Sequence, residues 1–439
     1  MNTPTSPLKS RHITMIGLGG AIGAGLFVGS SSSISQTGPA VIFSFLATSI
    51  LVFLVMRMLG EMVIAKPGRG SFVEYIRAGN GDKAAFVSGW LYWFFWVSVV
   101  GSEAIAGAVI MDAWVPLPIW ILAILIVSLI FIFNMGAVHI FGEVEFWLSS
   151  IKVLSIILFI IVCSGYLLVK LFYHSTSNLT VSANFEIFPM GFSAAIAAIP
   201  SALFTMLGAE LGTVAAGESD APQQEIARVT RGIGIRISIF YLASLLLILL
   251  IVPWQSIKSG YSPFVSTLEI IGIPGASFIM KCVVLAAILS CLNSSMYITS
   301  RVLHELSSKG DAPQILMAQS RYGTPTAALV FSAIFGIIIA FSSIISPNIM
   351  FSFIINCSGG VVLIVYGMIA IAHFYLRNER KRPKNNYFLI NFSVVTAIFF
   401  VFLVMMFSYE QRLIAISSIG TAILFLLIAM MRKITWCKN

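Results

Sequence analysis

The sequence predicts an all-α polytopic membrane protein with about 12 membrane-spanning helices. Of the 439 residues, 58% are hydrophobic and only 10% are charged, whereas a soluble domain has roughly 25% charged residues. Apolar windows long enough to cross a bilayer recur along the chain. They cover residues 13–34, 38–64, 84–111, 117–137, 146–170, 191–216, 233–253, 274–300, 326–346, 350–375, 388–408 and 413–431. The first and sixth windows are interrupted by glycines, which predicts broken helices there.

Lysine and arginine placement predicts that both termini are cytoplasmic. In that orientation 20 of the 26 basic residues lie on the inner side, three lie on the outer side and three lie within spans. Such asymmetry fixes the orientation of membrane proteins, and it explains the net charge of +9 without a nucleic-acid partner. We therefore expect a multi-pass protein of the inner (plasma) membrane with the lipid bilayer as its partner. The oligomeric state stays open, and no removable signal peptide is expected.

The glycine-rich stretch 15–27 in span 1 is the first candidate binding site. It holds five glycines in thirteen residues, and each interior glycine costs a helix roughly 1 kcal/mol relative to alanine. A break in hydrocarbon survives only where the freed backbone groups line a cavity or hold a polar ligand. Amides after the break suit a carboxylate and carbonyls before it suit a cation, so an amino acid zwitterion would use both. Close helix packing through small residues is an equal alternative.

Span 6 carries a second interruption of the same kind. Its residues 204–212 contain Gly208, Gly212 and Glu210 in an otherwise apolar segment. The interruption recurs five helices after the first, which is the pattern of a five-helix inverted repeat with its site where the broken helices meet.

Several polar side chains inside or beside the spans are further candidates. Glu103 lies deep in span 3, where a carboxylate faces protein or water and is a functional candidate. Lys152, in span 5, either snorkels to the interface or projects into the bundle, where it could exchange a proton. Arg57 and Glu61 are four residues apart and can pair near the cytoplasmic boundary, as an anchor or a gate. In span 8, Ser295 and its polar neighbours either bind a ligand or join helices.

Short motifs covering roughly residues 10–380 together resemble the amino acid–polyamine–organocation superfamily, and within it the bacterial amino acid permeases. The matching segments are Arg11-His12-Ile13, Gly23 to Phe27, Gly38-Pro39, Arg57 to Glu61, Gly70 to Phe72, Gly89 to Trp93, Glu145 to Trp147, Ile151 to Val153, Ala215 to Glu218, Ser300 to Leu303 and Gly310 to Pro313. The amino-acid sequences of spans 1, 3 and 5 are most similar to those of GABA permeases.

The resemblance implies a LeuT-like core with a 5+5 inverted repeat and proton-coupled uptake. The core would be residues 13–376, with repeats at about 13–170 and 191–376. Around it would lie an N-terminus 1–12, a basic loop 377–387, peripheral spans 11 and 12 at 388–431, and a C-terminus 432–439.

The resemblance also implies site roles, residue by residue. Substrate would be bound by backbone groups of the two breaks and a span 8 side chain, namely Ala21, Ile22, Gly23, Ala24, Gly25, Phe204, Leu207 and Ser295. Among these, the Ala24 and Gly25 amides would take the carboxylate, and the carbonyls of Ala21, Phe204 and Leu207 the amino group. The Phe204 ring would close over the substrate. Lys152 matches a lysine that replaces a sodium ion in sodium-independent members. Glu210 is similar to a carboxylate linked to proton sensing in relatives, and Glu103 matches an acidic span 3 position of the permease subgroup. Lys152, Glu210 and Glu103 are therefore the candidates for proton coupling.

The prediction from sequence is therefore a secondary active transporter taking up an amino acid, GABA among the candidates, with a proton and without a metal or other cofactor. An exchanger, a sodium-coupled symporter of the same fold, and a non-transporting sensor are the alternatives. A channel is a further possibility. No span carries a zinc-ligand pair or nucleophile motif, so an enzyme is not expected.

Overall fold

The computed structural model describes residues 22–66, 71–136, 138–172, 186–206, 208, 238–320, 323–378 and 385–435. Within these ranges all regular secondary structure is helical. Eight helical runs are long and apolar enough to cross a membrane, and three shorter apolar helices accompany them. One long run, Gly25–Ala65, contains two spans joined at Gly38, whose φ of +63° allows the sharp turn before Pro39. The all-α polytopic class predicted from the sequence is confirmed.

Each of the predicted windows contains a helix. In order, spans 1 to 12 are Gly25–Gly29 continued by Ser30–Thr37, Val41–Ala65, Asp82–Met111, Ile119–Asn134, Val138–Phe172, Gly191–Ala197 continued by Ile199–Met206, Ser238–Ile251, Ala276–Ser308, Thr326–Phe341, Pro347–Asn378, Asn385–Phe407 and Arg412–Thr435. Two shorter helices, Phe72–Asn80 and Pro263–Ile271, connect spans.

Spans 3 and 10 form the centre of the helical bundle. Their apolar windows are 78% and 72% buried, compared with 22% for spans 5 and 12. Span 3 packs against spans 4, 8, 9, 10 and 12, and span 10 also packs against spans 2, 6 and 11. The exposed side chains of the outer spans are large and apolar, as lipid-facing side chains must be.

Span 6 is held against span 10 by an unusually close contact. A Cβ built on Gly359 would collide with the carbonyl oxygen of Pro200, so only glycine fits there. The contact holds the start of the Ile199–Met206 segment, whose other end is the end of the span 6 helix.

Candidate functional site

Span 1 begins as a helix in the middle of its glycine-rich stretch. Ile22 and Gly23 form a bend, and the Gly23 carbonyl accepts the first helical hydrogen bond, from the Phe27 amide at 3.3 Å. The helix opens as a π-helical turn, Gly25–Gly29. The described part of the chain starts at Ile22, so Ala21 lies outside it. Within the described residues, the start of this helix therefore falls inside the predicted interruption.

The amide at this helix end already holds a carboxylate. The Ala24 N–H donates to both Oε1 and Oε2 of Glu103, each at 3.0 Å, and Glu103 is only 2% exposed. The Gly25 amide acts on the same carboxylate. A helix N-terminus with free N–H groups is an anion-binding site. Here the anion comes from span 3 of the protein itself.

The glycines at the break also allow close packing. A Cβ on Gly23 would lie 2.6 Å from Cys291 Sγ and 2.7 Å from Glu103 Oε1. A Cβ on Gly25 would lie 2.8 Å from the Thr205 Cα. Of the two alternatives left open by the sequence, a binding site and close helix packing, these contacts support close packing. Substrate binding by residues 22–25 stays a prediction.

The helix of span 6 ends at Met206, near its predicted interruption. Gly208 follows with a φ of +119°, a conformation that favours glycine. At this end the hydroxyl of Tyr241, on span 7, donates to the Thr205 carbonyl. Leu207 and Glu210, two predicted site residues, lie outside the described residues.

Phe204 lies two residues before the same helix end and is 5% exposed. Its ring packs edge-on against Phe95 of span 3, with ring centroids 5.7 Å apart. Its predicted closure over a substrate is not tested by this arrangement.

Lys152 projects into the protein interior. Its side chain is 1% exposed, and its Nζ lies 3.7 Å from Oε1 of Glu145, which is equally buried. Its charge also acts on Glu103. The snorkelling alternative places the ammonium group at the interface, and the burial of the side chain does not fit it. The coupling role of Lys152 stays a prediction.

Glu145 was not singled out from the sequence, yet it connects spans 5 and 8. Besides Lys152, it accepts hydrogen bonds from Ser290 at 2.8 Å on both oxygens and from Ser149 at 3.2 Å. Seven residues separate Glu145 from Lys152, which is about two helical turns. That spacing places both side chains on one helix face, and it is the sequence feature by which Glu145 could have been identified.

The polar residues of span 8 differ in their partners: Ser295 bonds within its own helix, whereas Asn293 bonds to another span. The Ser295 side chain is fully buried and donates to the Cys291 carbonyl at 2.7 Å. Asn293 accepts from Asn134 of span 4 at 2.7 Å. The helix-joining role is therefore present at Asn293, while a contact between Ser295 and substrate stays a prediction.

Glu61 pairs with Arg57 as their spacing predicted, and also with span 10. The distance from Arg57 Nε to Glu61 Oε1 is 3.4 Å. The other oxygen, Oε2, accepts from Arg377 at 2.6 Å and lies 3.3 Å from Nε2 of His373. The carboxylate thus joins spans 2 and 10, and the gating or anchoring role remains a prediction.

Comparisons with known proteins agree with this architecture. The family model described as "Amino acid permease" matches residues 12–438. A gamma-aminobutyric acid permease of Bacillus subtilis (strain 168) is 41% identical over 85% of this chain and 80% of its own. One of Escherichia coli (strain K12) is 39% identical over 94% and 90%. The aromatic amino acid transport protein AroP of Corynebacterium glutamicum is 37% identical over 85% and 81%.

A solved structure supports the fold. A Na⁺-coupled sialic acid symporter in a substrate-bound, outward-open state aligns with a TM-score of 0.55 at 14% identity, over 88% of each chain. At that identity the likeness concerns the fold, a LeuT-like helical bundle, and confirms the predicted architecture. The family match covers nearly the whole chain, and the chain belongs to the amino acid permease family.

Proposed function

We propose that this protein is a secondary active transporter that takes up an amino acid together with a proton, with GABA as the first candidate. The names of relatives support the substrate class, since they include permeases for GABA, for aromatic amino acids and for asparagine. The relatives named for GABA are 39–41% identical. Because the relatives are named for different substrates, the amino acid that this protein transports must be identified by a transport assay.

The observation that carries the proposal is the contact between the Ala24 amide and the buried Glu103 carboxylate. A helix end that holds one carboxylate has the chemistry to hold the carboxylate of an amino acid. The ammonium group of the substrate would bind at the end of span 6, where the last carbonyls of the helix carry partial negative charge. A zwitterion between the two helix ends would satisfy both.

The buried charges favour a proton as the coupling ion. The Lys152 Nζ atom lies 3.7 Å from Oε1 of Glu145, and Lys152 matches a lysine that takes the place of sodium in sodium-independent relatives. Glu145 pairs with this ammonium group, whose charge also acts on Glu103. A buried carboxylate in such a cluster can accept a proton.

Transport assays on the purified protein in proteoliposomes test the proposal. The panel contains the twenty amino acids, GABA and β-alanine, with an inward proton gradient and with sodium or choline as the only monovalent cation. We expect accumulation of one compound or a few, driven by the proton gradient and equal in the two salts. Accumulation that requires sodium would identify a sodium symporter, and uptake only against preloaded amino acid would identify an exchanger. A sensor would transport none of the panel.

Lys152→Ala separates coupling from binding. We expect this variant to lose proton-driven accumulation and to retain exchange or binding of the same substrate, because the helix ends remain. Lys281→Ala is the matched control, since Lys281 is 36% exposed and pairs with the exposed Glu269. Undiminished accumulation by the Lys152 variant would contradict the proposed coupling.

We further propose cytoplasmic N- and C-termini in the plasma membrane, as the basic-residue asymmetry indicates. Fusing alkaline phosphatase or a fluorescent protein to the C-terminus tests this orientation. Fluorescence without phosphatase activity is the expected result, and the reverse pattern would contradict it.

A further inference from the structure

Glu103 occupies the place that a substrate carboxylate is expected to take. Both of its oxygens lie 3.0 Å from the Ala24 nitrogen, so its negative charge faces the start of the span 1 helix. An amide N–H directed at one carboxylate is not available to a second. Any carboxylate that binds there must therefore first displace Glu103.

The groups that contact the two buried carboxylates, Glu103 and Glu145, show which carboxylate can be released from its partners. Glu145 is held by the Lys152 ammonium group and by hydroxyls of Ser290 and Ser149. Hydrogen bonds to Glu103, within the described residues, come from neutral donors: the Ala24 and Gly25 amides and the Cys291 thiol. Among the residues that the structure describes, no cation pairs directly with Glu103 as Lys152 does with Glu145.

Other titratable groups also face Glu103. The charge of Lys152 acts on it from span 5, and the hydroxyl of Tyr241 faces it from span 7. Tyr241 itself donates to the Thr205 carbonyl, so it is a neutral neighbour. Protonation of Glu103 would remove the attraction to the helix end and leave the pair of Lys152 and Glu145 in place.

We propose that Glu103 is a tethered competitor of the substrate: its carboxylate and that of the amino acid take turns on the same span 1 amides, and Glu103 leaves by accepting the transported proton. This inference rests on the proposed function. In the empty state the helix end holds the Glu103 carboxylate. In the loaded state the proton resides on a Glu103 oxygen, and the helix end holds the substrate carboxylate. The start of the span 1 helix therefore faces one negative charge in both states.

The exchange explains how proton movement without substrate would be prevented. If Glu103 accepted a proton and left with no amino acid present, buried amides of span 1 would lose their acceptor, which is unfavourable in a low-dielectric interior. The substrate carboxylate replaces that acceptor. Proton uptake is thus favourable only together with a carboxylate-bearing substrate, in a ratio of one to one.

The test compares Glu103→Gln with Glu269→Gln, a control at an exposed position. Binding of GABA, or of the amino acid that the uptake panel ranks first, is measured from acid to alkaline pH together with protons taken up in weak buffer. In the wild type and the control, each bound substrate should take up one proton, and the apparent Kd should rise about tenfold per pH unit on the alkaline side. The Glu103 variant should take up none, and its Kd should change less than about twofold over that range.

Several outcomes would overturn the inference. One is a Glu103→Gln variant that keeps the wild-type proton uptake and pH slope. Another is proton uptake on adding n-butylamine, which lacks the carboxylate of GABA, equal to that on adding GABA. If the variant does not fold, infrared difference spectra of the wild type decide. Adding substrate at constant pH should produce the band of a protonated carboxylic acid, and its absence overturns the inference.

Failure of the proposed function would look different. A wild-type protein that neither transports nor binds any amino acid would contradict amino acid transport as such. Substrate binding without the proton behaviour described above would leave amino acid transport intact and overturn only the exchange of carboxylates.

Discussion

Removing Lys152 tests whether the buried side chains of Lys152 and Glu145 stabilise each other, as their geometry indicates. Lys152→Ala deletes an ammonium group 3.7 Å from Glu145 Oε1, where both side chains are 1% exposed. Among the contacts described above, Glu145 then keeps only the hydroxyl donors of Ser290 and Ser149. Glu145→Gln removes the opposite partner, and the double variant removes both charges.

The magnitudes follow from the separation and the burial. Two unit charges at this distance attract by about 4 kcal/mol at an effective dielectric constant near 20. Deleting one partner of a buried pair costs roughly 3–5 kcal/mol, because the other charge is left without compensation. We expect the cost of the double variant to be smaller than the sum of the single costs by roughly 2–3 kcal/mol.

Thermal unfolding in detergent, followed by tryptophan fluorescence at one scan rate, measures the apparent Tm of each variant. Lys152→Ala should melt lowest, and adding Glu145→Gln should raise its Tm. The exposed pair of Lys281 and Glu269 is the control, where single and double changes should lie within about 1 kcal/mol of the wild type. A double variant that melts at or below Lys152→Ala would refute coupling between the two side chains.

Three other substitutions test the packing around the breaks. Gly25→Val should abolish uptake because its Cβ would lie 2.8 Å from the Thr205 Cα, whereas Gly420→Val, where nothing lies within 4 Å of the added Cβ, should transport normally; equal uptake by the two would contradict this. Tyr241→Phe removes a donor from the Thr205 carbonyl and should lower the stability by roughly 1–3 kcal/mol, which a Tm equal to the wild type would exclude. Gly359→Ala places a Cβ in collision with the Pro200 carbonyl oxygen of span 6, so we expect a reduced yield of folded protein on size-exclusion chromatography, and a wild-type elution profile would be the contrary result.

Hydrophobic windows and glycines predicted much of the fold, because both act locally along the chain. Each window contains a helix, and the helix starts and ends near the two breaks fall at residues 23–25 and 206. The ends of the helices were predicted less accurately than the presence of the helices. Span 5 was expected at 146–170, but its helix is Val138–Phe172, because a helix extends beyond the apolar segment that crosses the bilayer. The domain boundaries stay predictions.

The site was predicted less completely because its contacts join residues far apart in sequence. Glu103 was selected for its depth in a span, but its contact with the Ala24 amide links positions 79 residues apart. Glu145 was missed because a carboxylate near the start of a span is ordinarily interfacial. Glu61 illustrates the same limit, since its local partner Arg57 was predicted and its closer partner Arg377 belongs to span 10.

Gly23 joins the packing of span 1 to the charges of the buried cluster. A side chain there would contact the thiol of Cys291 and the Oε1 atom of Glu103 at 2.6 and 2.7 Å. Such a side chain would push Glu103 away from the Ala24 amide, even if the bend itself were preserved. The absence of a Cβ at Gly23 is therefore required for the carboxylate contact as well as for the break. This dual requirement explains why a glycine stands directly before the amide that binds the carboxylate.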